Sequence, residues 1–274
     1  MQEWIWINGE PQTQVAVQNR GLAYGDGLFE TLRISPRGPV LLEYHMDRLQ
    51  ESARRLLIPF DRTVMTQELN AFPGCRQPGV VKLIYTRGVG GRGYSPANLD
   101  HPTRILSSHP ESTWPTWHYE QGVHLHACRT RLGRNPLLAG MKHLNRLEQV
   151  LARSEWLGTD TYQEGLVCDT EGIMVEGVMS NLFFVVDAVV QTPLLANCGV
   201  AGVLRRWLLE QFQQLQMPVQ EIEACPNHLQ RASEVFTCNS VYGVWPVATF
   251  GDLQWAPGAV ARRAQTLFQQ HWLS

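Results

Sequence analysis

Along the chain the apolar positions switch between a two-residue period and a three-to-four-residue period, the pattern of strands alternating with helices. Trp4-Ile5-Trp6-Ile7, then Asn8-Gly9, then Val15-Ala16-Val17 predict an opening hairpin turning at Asn8-Gly9. Residues 20–32, Arg20-Gly21-Leu22-Ala23-Tyr24-Gly25-Asp26-Gly27-Leu28-Phe29-Glu30-Thr31-Leu32, predict a glycine-punctuated entry into a strand. His45, Arg48, Leu49, Ala53, Leu56 and Leu57 fall at helical spacing and predict a helix ending near Pro59. A second helical segment leads into a strand over residues 80–87, followed by a glycine-rich loop.

The second half begins with a strand over residues 123–130 and an irregular loop that reaches Lys142. A helix then sets Leu144, Leu147, Val150, Leu151 and Leu157 on one face. Short strands follow at residues 165–168, 173–176, 181–186 and 188–192. A helix from about Val203 turns Leu204, Trp207, Leu208, Phe212 and Leu215 inward until Pro218 stops it. Late strands over 235–237 and 247–250 precede a closing amphipathic helix. Residues 108–117 hold two prolines and two tryptophans and read as a linker. The expectation is an α+β chain of mixed sheets with flanking helices, with domains at residues 1–108 and 118–274 and a linker at 109–117.

Composition narrows the functional classes. With 274 residues, 44% of them hydrophobic, the chain can build real cores. A formal charge of −2 gives no reason to expect nucleic acid or an anionic membrane as partner. No apolar run is long enough to span a bilayer and the first residues form no signal peptide, so the expected compartment is the cytoplasm. The six cysteines show no metal-ligand spacing and mostly sit in apolar runs, which predicts buried free thiols and no metal site.

Only two of the 23 basic residues, Lys82 and Lys142, are lysines. Guanidinium cannot form a Schiff base, whereas a primary amine can add to a carbonyl and then move protons. A bias toward arginine codons would explain the scarcity of lysine, though not its position. Three other stretches read chemically. Cys198-Gly199-Val200-Ala201-Gly202-Val203-Leu204-Arg205 is a small-residue loop running into a helix, whose free N–H groups and dipole suit an anion. Glu176 ends a strand among apolar neighbours, either as a hydrogen-bonded surface carboxylate or as a partly buried anion with a cationic partner. Arg87-Gly88-Val89-Gly90-Gly91-Arg92-Gly93-Tyr94-Ser95 is either a flexible solvent loop or a site where arginine captures a carboxylate.

An amine, an anion-binding helix end and a buried carboxylate are the three fixtures pyridoxal 5'-phosphate requires. The chain resembles the fold-type IV pyridoxal-phosphate enzymes, which include branched-chain and D-amino-acid transaminases and 4-amino-4-deoxychorismate lyases. Tyr24-Gly25-Asp26-Gly27-Leu28-Phe29-Glu30 looks like the family's G-D-G-x-F/Y-E element, and His45-Met46-Asp47-Arg48-Leu49 like its H-x-x-R-L element. Glu176 through Ser180-Asn181 and the loop from Gly199 to Arg205 follow in the family's order, and the resemblance covers nearly the whole chain. It implies that Lys142 carries the cofactor and then acts as general base, while Glu176 keeps the pyridine nitrogen protonated. It implies phosphate contacts from Arg48, from the backbone at Gly202, Val203 and Leu204, and from Asn239 or Ser240, with Asn181 also at the cofactor. A homodimer with two domains per chain and the cofactor between them is implied as well.

Within the family, Met141-Lys142-His143-Leu144-Asn145-Arg146-Leu147-Glu148-Gln149-Val150 and the loop from Arg87 to Ser95 look most like the lyases. The resemblance therefore implies conversion of 4-amino-4-deoxychorismate to 4-aminobenzoate and pyruvate, a step of folate biosynthesis. Arg92, Tyr94 and Lys82 are the candidates to meet the substrate's two carboxylates. Glu30 follows the transaminase spelling, and a D-amino-acid or branched-chain transaminase is the alternative reading.

Overall fold

The computed structural model describes residues 3–96 and 101–273. The chain divides into two compact units, Met1–Ser112 with Met141–Asn145 and Leu273, and Thr113–Gly140 with Arg146–Trp272 and Ser274.

The first unit contains β1 (Ile5–Ile7), β2 (Glu10–Pro11), α1 (Arg20–Tyr24), β3 (Gly27–Ser35), β4 (Gly38–Pro39), α2 (Leu42–Arg55), α3 (Arg62–Ala71), β5 (Gly79–Thr86) and β6 (Thr103–His109). Its strands form one antiparallel sheet in the order β2-β1-β6-β5-β3-β4. The opening hairpin returns through Glu10–Pro11, not through Val15–Val17, which is exposed irregular chain. Asn8 and Gly9 both take positive φ, so Ile7 pairs with Glu10 at once, and Pro11 then ends the ladder. Arg20–Tyr24, expected to run straight into a strand, is instead a single helical turn. The Asn19 side chain caps it by accepting the Gly21 N–H, and Gly25 stops it at φ 64°.

Period-two burial along β3 buries Leu28, Glu30, Leu32 and Ile34 together. Three of these are apolar, and the carboxylate among them needs a buried partner. Helix α2 buries His45, Met46, Leu49, Ser52 and Ala53, with Glu43 in its first turn and Arg54 and Arg55 in its last, as the helix dipole favours.

The second unit contains α4 (Trp117–Glu120), β7 (Val123–Leu132), α5 (Leu147–Ser154), β8 (Glu164–Asp169), β9 (Met174–Gly177), β10 (Asn181–Val186), β11 (Val189–Pro193), α6 (Val203–Gln214), β12 (Val219–Ile222), β13 (Glu234–Asn239), β14 (Gly243–Phe250), β15 (Leu253–Gln254) and α7 (Ala259–Phe268). Its mixed sheet runs β12-β11-β10-β13-β14-β7-β8-β9, with β15 paired to β14. The core on one side gathers Leu166, Phe184, Val235, Trp245 and Val247. Phe183 stacks on Phe236 at 5.1 Å between centroids. Two expectations fail here. Leu147, Val150, Leu151 and Leu157, expected to face a core, are exposed, and Leu215 is the exposed cap of α6. The period shows that α5 has an apolar face, but periodicity does not say what covers it. Four cysteines are buried thiols, whereas Cys225 is exposed and Cys75 half-buried. No described helix is long and apolar enough to cross a membrane.

Candidate active site

Lys142 lies in Met141–Asn145, which groups with the first unit although the chain on either side belongs to the second. Backbone pairing explains this. The Phe29 N–H donates to the Lys142 carbonyl at 2.9 Å, and the Leu144 N–H to the Gly27 carbonyl at 3.0 Å. The Asn145 side-chain amide adds a bond to the Gly25 carbonyl at 3.2 Å. The lysine is thus held by main-chain bonds on the first residues of β3, so its half-buried side chain leaves from a fixed root. Lys142 Nζ stands 4.5 Å from the centroid of the Phe29 ring, and Lys82 Nζ, from β5, reaches the same ring at 5.5 Å. The chain's two lysines converge on one aromatic ring.

In the same unit the inward carboxylate of Glu30 finds its partners on α2. Arg48 Nε donates to Glu30 Oε1 at 2.8 Å, and a second guanidinium nitrogen donates to Oε2, which makes the pair bidentate. His45 Nδ1 lies 2.6 Å from Oε2. Burial pushes Glu30 up, yet Arg48 first and His45 after it outweigh that push and hold the carboxyl down at about 2. His45 goes down as well, since burial beats the pull of Glu30, and Arg48 and Lys142 add repulsion. The imidazole is therefore neutral, donates from Nδ1, and leaves Nε2 as a buried acceptor without a partner among the described residues. One arginine cation and one carboxylate then leave the buried cluster with no net charge.

The second unit supplies the loop that enters α6 and a second carboxylate. The Val200 peptide is clamped on both sides, its N–H donating to Glu176 Oε2 at 2.8 Å and its carbonyl accepting from Asn181 Nδ2 at 2.9 Å. Gly140 ties the same loop down, donating to the Gly199 carbonyl at 2.9 Å and accepting from the Ala201 N–H at 3.0 Å. Glu176 and Asn181 are 4% exposed each. The loop then enters α6 with Gly202 as an N-cap that offers no side-chain hydrogen bond. The first N–H groups of α6, those of Val203 and Leu204 included, thus lack a side-chain cap. Gly202 has a steric reason, because a Cβ there would collide with Asn181 Oδ1.

The turn between β9 and β10, which separates Glu176 from Asn181, is organised by Glu164. This buried carboxylate accepts from Gly165 N and Val178 N at 2.9 Å, from Met179 N at 3.3 Å and from Ser180 Oγ at 2.7 Å. Burial raises its pKa against the pull of those bonds. Met179 in turn accepts from Asn239 Nδ2 at 3.1 Å, and Asn239 Oδ1 takes the N–H groups of Val241 and Tyr242 at 2.9 Å. Asn239 thus ties its own turn to the one before Asn181, and Ser240 is the buried hydroxyl beside it.

Arg92 and Tyr94 lie on an exposed loop of the first unit, Tyr94 at 83% exposure. The loop is latched from beneath by buried Arg20, which donates to the carbonyls of Gly93 at 2.9 Å and Tyr94 at 3.2 Å. Asp26 accepts from both Arg20 and Arg87 at 2.8 Å, so the aspartate of the Gly25-Asp26-Gly27 motif fixes the loop's two arginine supports.

Each unit therefore gathers part of the residues singled out from the sequence: Lys142, Lys82 and Arg48 in the first, Glu176, Asn181, Gly202, Val203, Leu204, Asn239 and Ser240 in the second. Glu164, Arg20 and the pairing of Glu30 with His45 and Arg48 were not assigned from sequence. A charged residue in phase with Leu28 and Leu32 was the available sign for Glu30. The donor set fits pyridoxal phosphate: a rooted primary amine, a helix end whose cap is a glycine with no room for a side chain, and a buried carboxylate on β9 that accepts from the loop before that helix.

A profile of the amino-transferase class IV family matches residues 27–250. The aminodeoxychorismate lyase of Vibrio harveyi is 39% identical over 268 residues, 95% of this chain and 98% of the relative. The crystal structure of 4-amino-4-deoxychorismate lyase from Pseudomonas aeruginosa superposes with a TM-score of 0.94 at 48% identity, covering 97% of this chain and 98% of that one. The branched-chain amino acid aminotransferase of Escherichia coli superposes with a TM-score of 0.85 at 25% identity, covering 98% and 94%.

Proposed function

The chain belongs to the amino-transferase class IV family, and on that premise we propose that it is a pyridoxal-phosphate-dependent lyase converting 4-amino-4-deoxychorismate to 4-aminobenzoate and pyruvate. The observation that carries the lyase reading over a transaminase is the near-full-length likeness to lyases at 39% and 48% identity. Bound pyridoxal phosphate supplies an electron sink conjugated with the substrate's amine nitrogen.

The residues divide the remaining work. The Lys142 amine would hold the cofactor and give way to the substrate's amine. It then takes the proton from the ring carbon bearing that nitrogen. The C–O bond on the adjacent carbon breaks with its electron pair on oxygen, the enolate of pyruvate leaves, and the ring becomes aromatic. The proton held by Lys142 goes to the carbon of the departing enolate, which becomes pyruvate, and the freed lysine amine would then replace the product's amine, so 4-aminobenzoate leaves and the lysine ends as it began. Glu176 would meet the pyridine nitrogen, and its bond from Val200 fixes its orientation. The first N–H groups of α6 would hold the phosphate, with Arg48 and Asn239 or Ser240 as the candidate side-chain partners. Arg92 and Lys82 answer the substrate's two carboxylates, with the Tyr94 hydroxyl beside Arg92. We place the reaction in folate synthesis in the cytoplasm and the chain in a homodimer, a state supported by the uncovered apolar face of α5.

The test is incubation of holoenzyme with D-alanine or leucine as sole substrate. A lyase keeps its cofactor in the aldehyde oxidation state, whereas stoichiometric conversion to pyridoxamine phosphate would move the reading to a transaminase.

A further inference from the structure

Glu30 is a carboxylate on the apolar face of β3 that meets Arg48 and His45 from α2. It is 1% exposed, and the Arg48 side chain is 11% exposed. A buried ion pair is a poor source of net stability, because desolvating both charges offsets their attraction. Such a pair does fix direction. The bidentate contact immobilises the plane of the guanidinium. His45, which donates from Nδ1 and stays neutral, fixes the carboxylate without adding charge. Phe29, next to Glu30, is bonded through its N–H to the carbonyl of Lys142 at 2.9 Å. One short strand therefore roots the amine and orients the arginine.

We propose that Glu30 is a positioning residue that aims Arg48 at the cofactor's phosphate, with His45 locking the carboxylate. The inference rests on the reading of Arg48 as a phosphate ligand. Glu30 touches neither substrate nor cofactor; its effect passes through Arg48 alone. That makes its signature phosphate-specific.

The experiment compares the affinity of cofactor-stripped full-length protein for pyridoxal phosphate with its affinity for pyridoxal, which lacks the phosphate, read by absorbance titration. Arg48→Gln should weaken pyridoxal phosphate and leave pyridoxal unchanged. Glu30→Gln should do the same, by roughly tenfold to a hundredfold, the range found when the partner orienting a metal ligand is removed. Glu30→Asp and His45→Gln, which perturb the same cluster more gently, keep the test alive if Glu30→Gln does not fold, and they should show a smaller loss of the same selectivity. If Arg48→Gln loses phosphate selectivity while the Glu30 and His45 variants bind both ligands as wild type does, the inference fails and the phosphate reading stands. Equal weakening of both ligands in Glu30→Gln would also overturn it, since Glu30 would then support the site generally. If Arg48→Gln binds pyridoxal phosphate as tightly as wild type, the phosphate reading itself is wrong.

Discussion

Replacing Glu176 by glutamine separates its charge from its geometry. The wild-type carboxylate accepts the Val200 N–H at 2.8 Å, and Val200 is held on its other side by Asn181. Glutamine's carbonyl oxygen can still accept that N–H, so the loop into α6 should keep its place and stability should change by less than about 1 kcal/mol, the net worth of an ordinary hydrogen bond. The negative charge is lost outright. Removing one preorganised electrostatic contact lowers kcat by about 10²–10³, or roughly 2.7–4 kcal/mol. Glu176→Ala also removes the acceptor, leaving the Val200 N–H to find water, and should add a stability loss of about 1–3 kcal/mol. The assay is 4-aminobenzoate formation together with urea unfolding of both variants. The expected result is a slow but stable Glu176→Gln and a slow and less stable Glu176→Ala. A Glu176→Gln enzyme with wild-type turnover would mean that another acid faces the pyridine. Equal destabilisation in the two variants would mean that the Val200 contact does not hold the loop.

The remaining predictions concern the first unit. With Glu30 held near 2 against an ordinary 4.5, its contribution is present above pH 4.5 and is lost as pH falls through 2, roughly 3 kcal/mol at 1.36 kcal/mol per pH unit. His45, held below 6.5, works in the same direction: below pH 6.5 the unfolded chain takes up a proton that the folded chain resists. Urea unfolding of Glu30→Gln should therefore show a flatter loss of stability between pH 4.5 and acid than wild type, and an equal slope would remove Glu30 from the account. Arg92→Ala should raise KM for 4-amino-4-deoxychorismate by about 10- to 150-fold, the loss of one charge-assisted contact of about 1.5–3 kcal/mol, with cofactor affinity unchanged. An unaltered KM would take Arg92 out of the substrate site.

How much of this could be read from the sequence depends on whether a feature is local. The start of α6 at Val203 was legible because small residues and two glycines precede a run at helical spacing. Lys142 could be singled out because lysine is scarce and its neighbours look like a family motif. Glu164 was not: a glutamate before Gly165-Leu166-Val167 looks like any residue at a strand's edge, and its role appears only when the chain folds back at Met179 and Ser180. The Glu30–Arg48 pair was half legible, since the strand's period puts Glu30 inside, but its partner lies 18 residues on. The apolar stripe of α5 was read correctly as a stripe and incorrectly as covered, because a single chain's periodicity cannot distinguish a core face from an exposed one. Val15–Val17 misled for the opposite reason: β-branched residues favour a strand, but the Asn8-Gly9 turn had already spent the pairing on Glu10 and Pro11.

The central claim is that this chain eliminates pyruvate from 4-amino-4-deoxychorismate using the Lys142 amine. The direct measurement is the simultaneous yield of 4-aminobenzoate and pyruvate from enzymatically made substrate, with wild-type protein and with Lys142→Ala. The account predicts equimolar products from the wild type and none above background from the variant, which should still bind pyridoxal phosphate through its phosphate. Wild-type protein that forms no 4-aminobenzoate, or a Lys142→Ala variant that forms it at the wild-type rate, would contradict it.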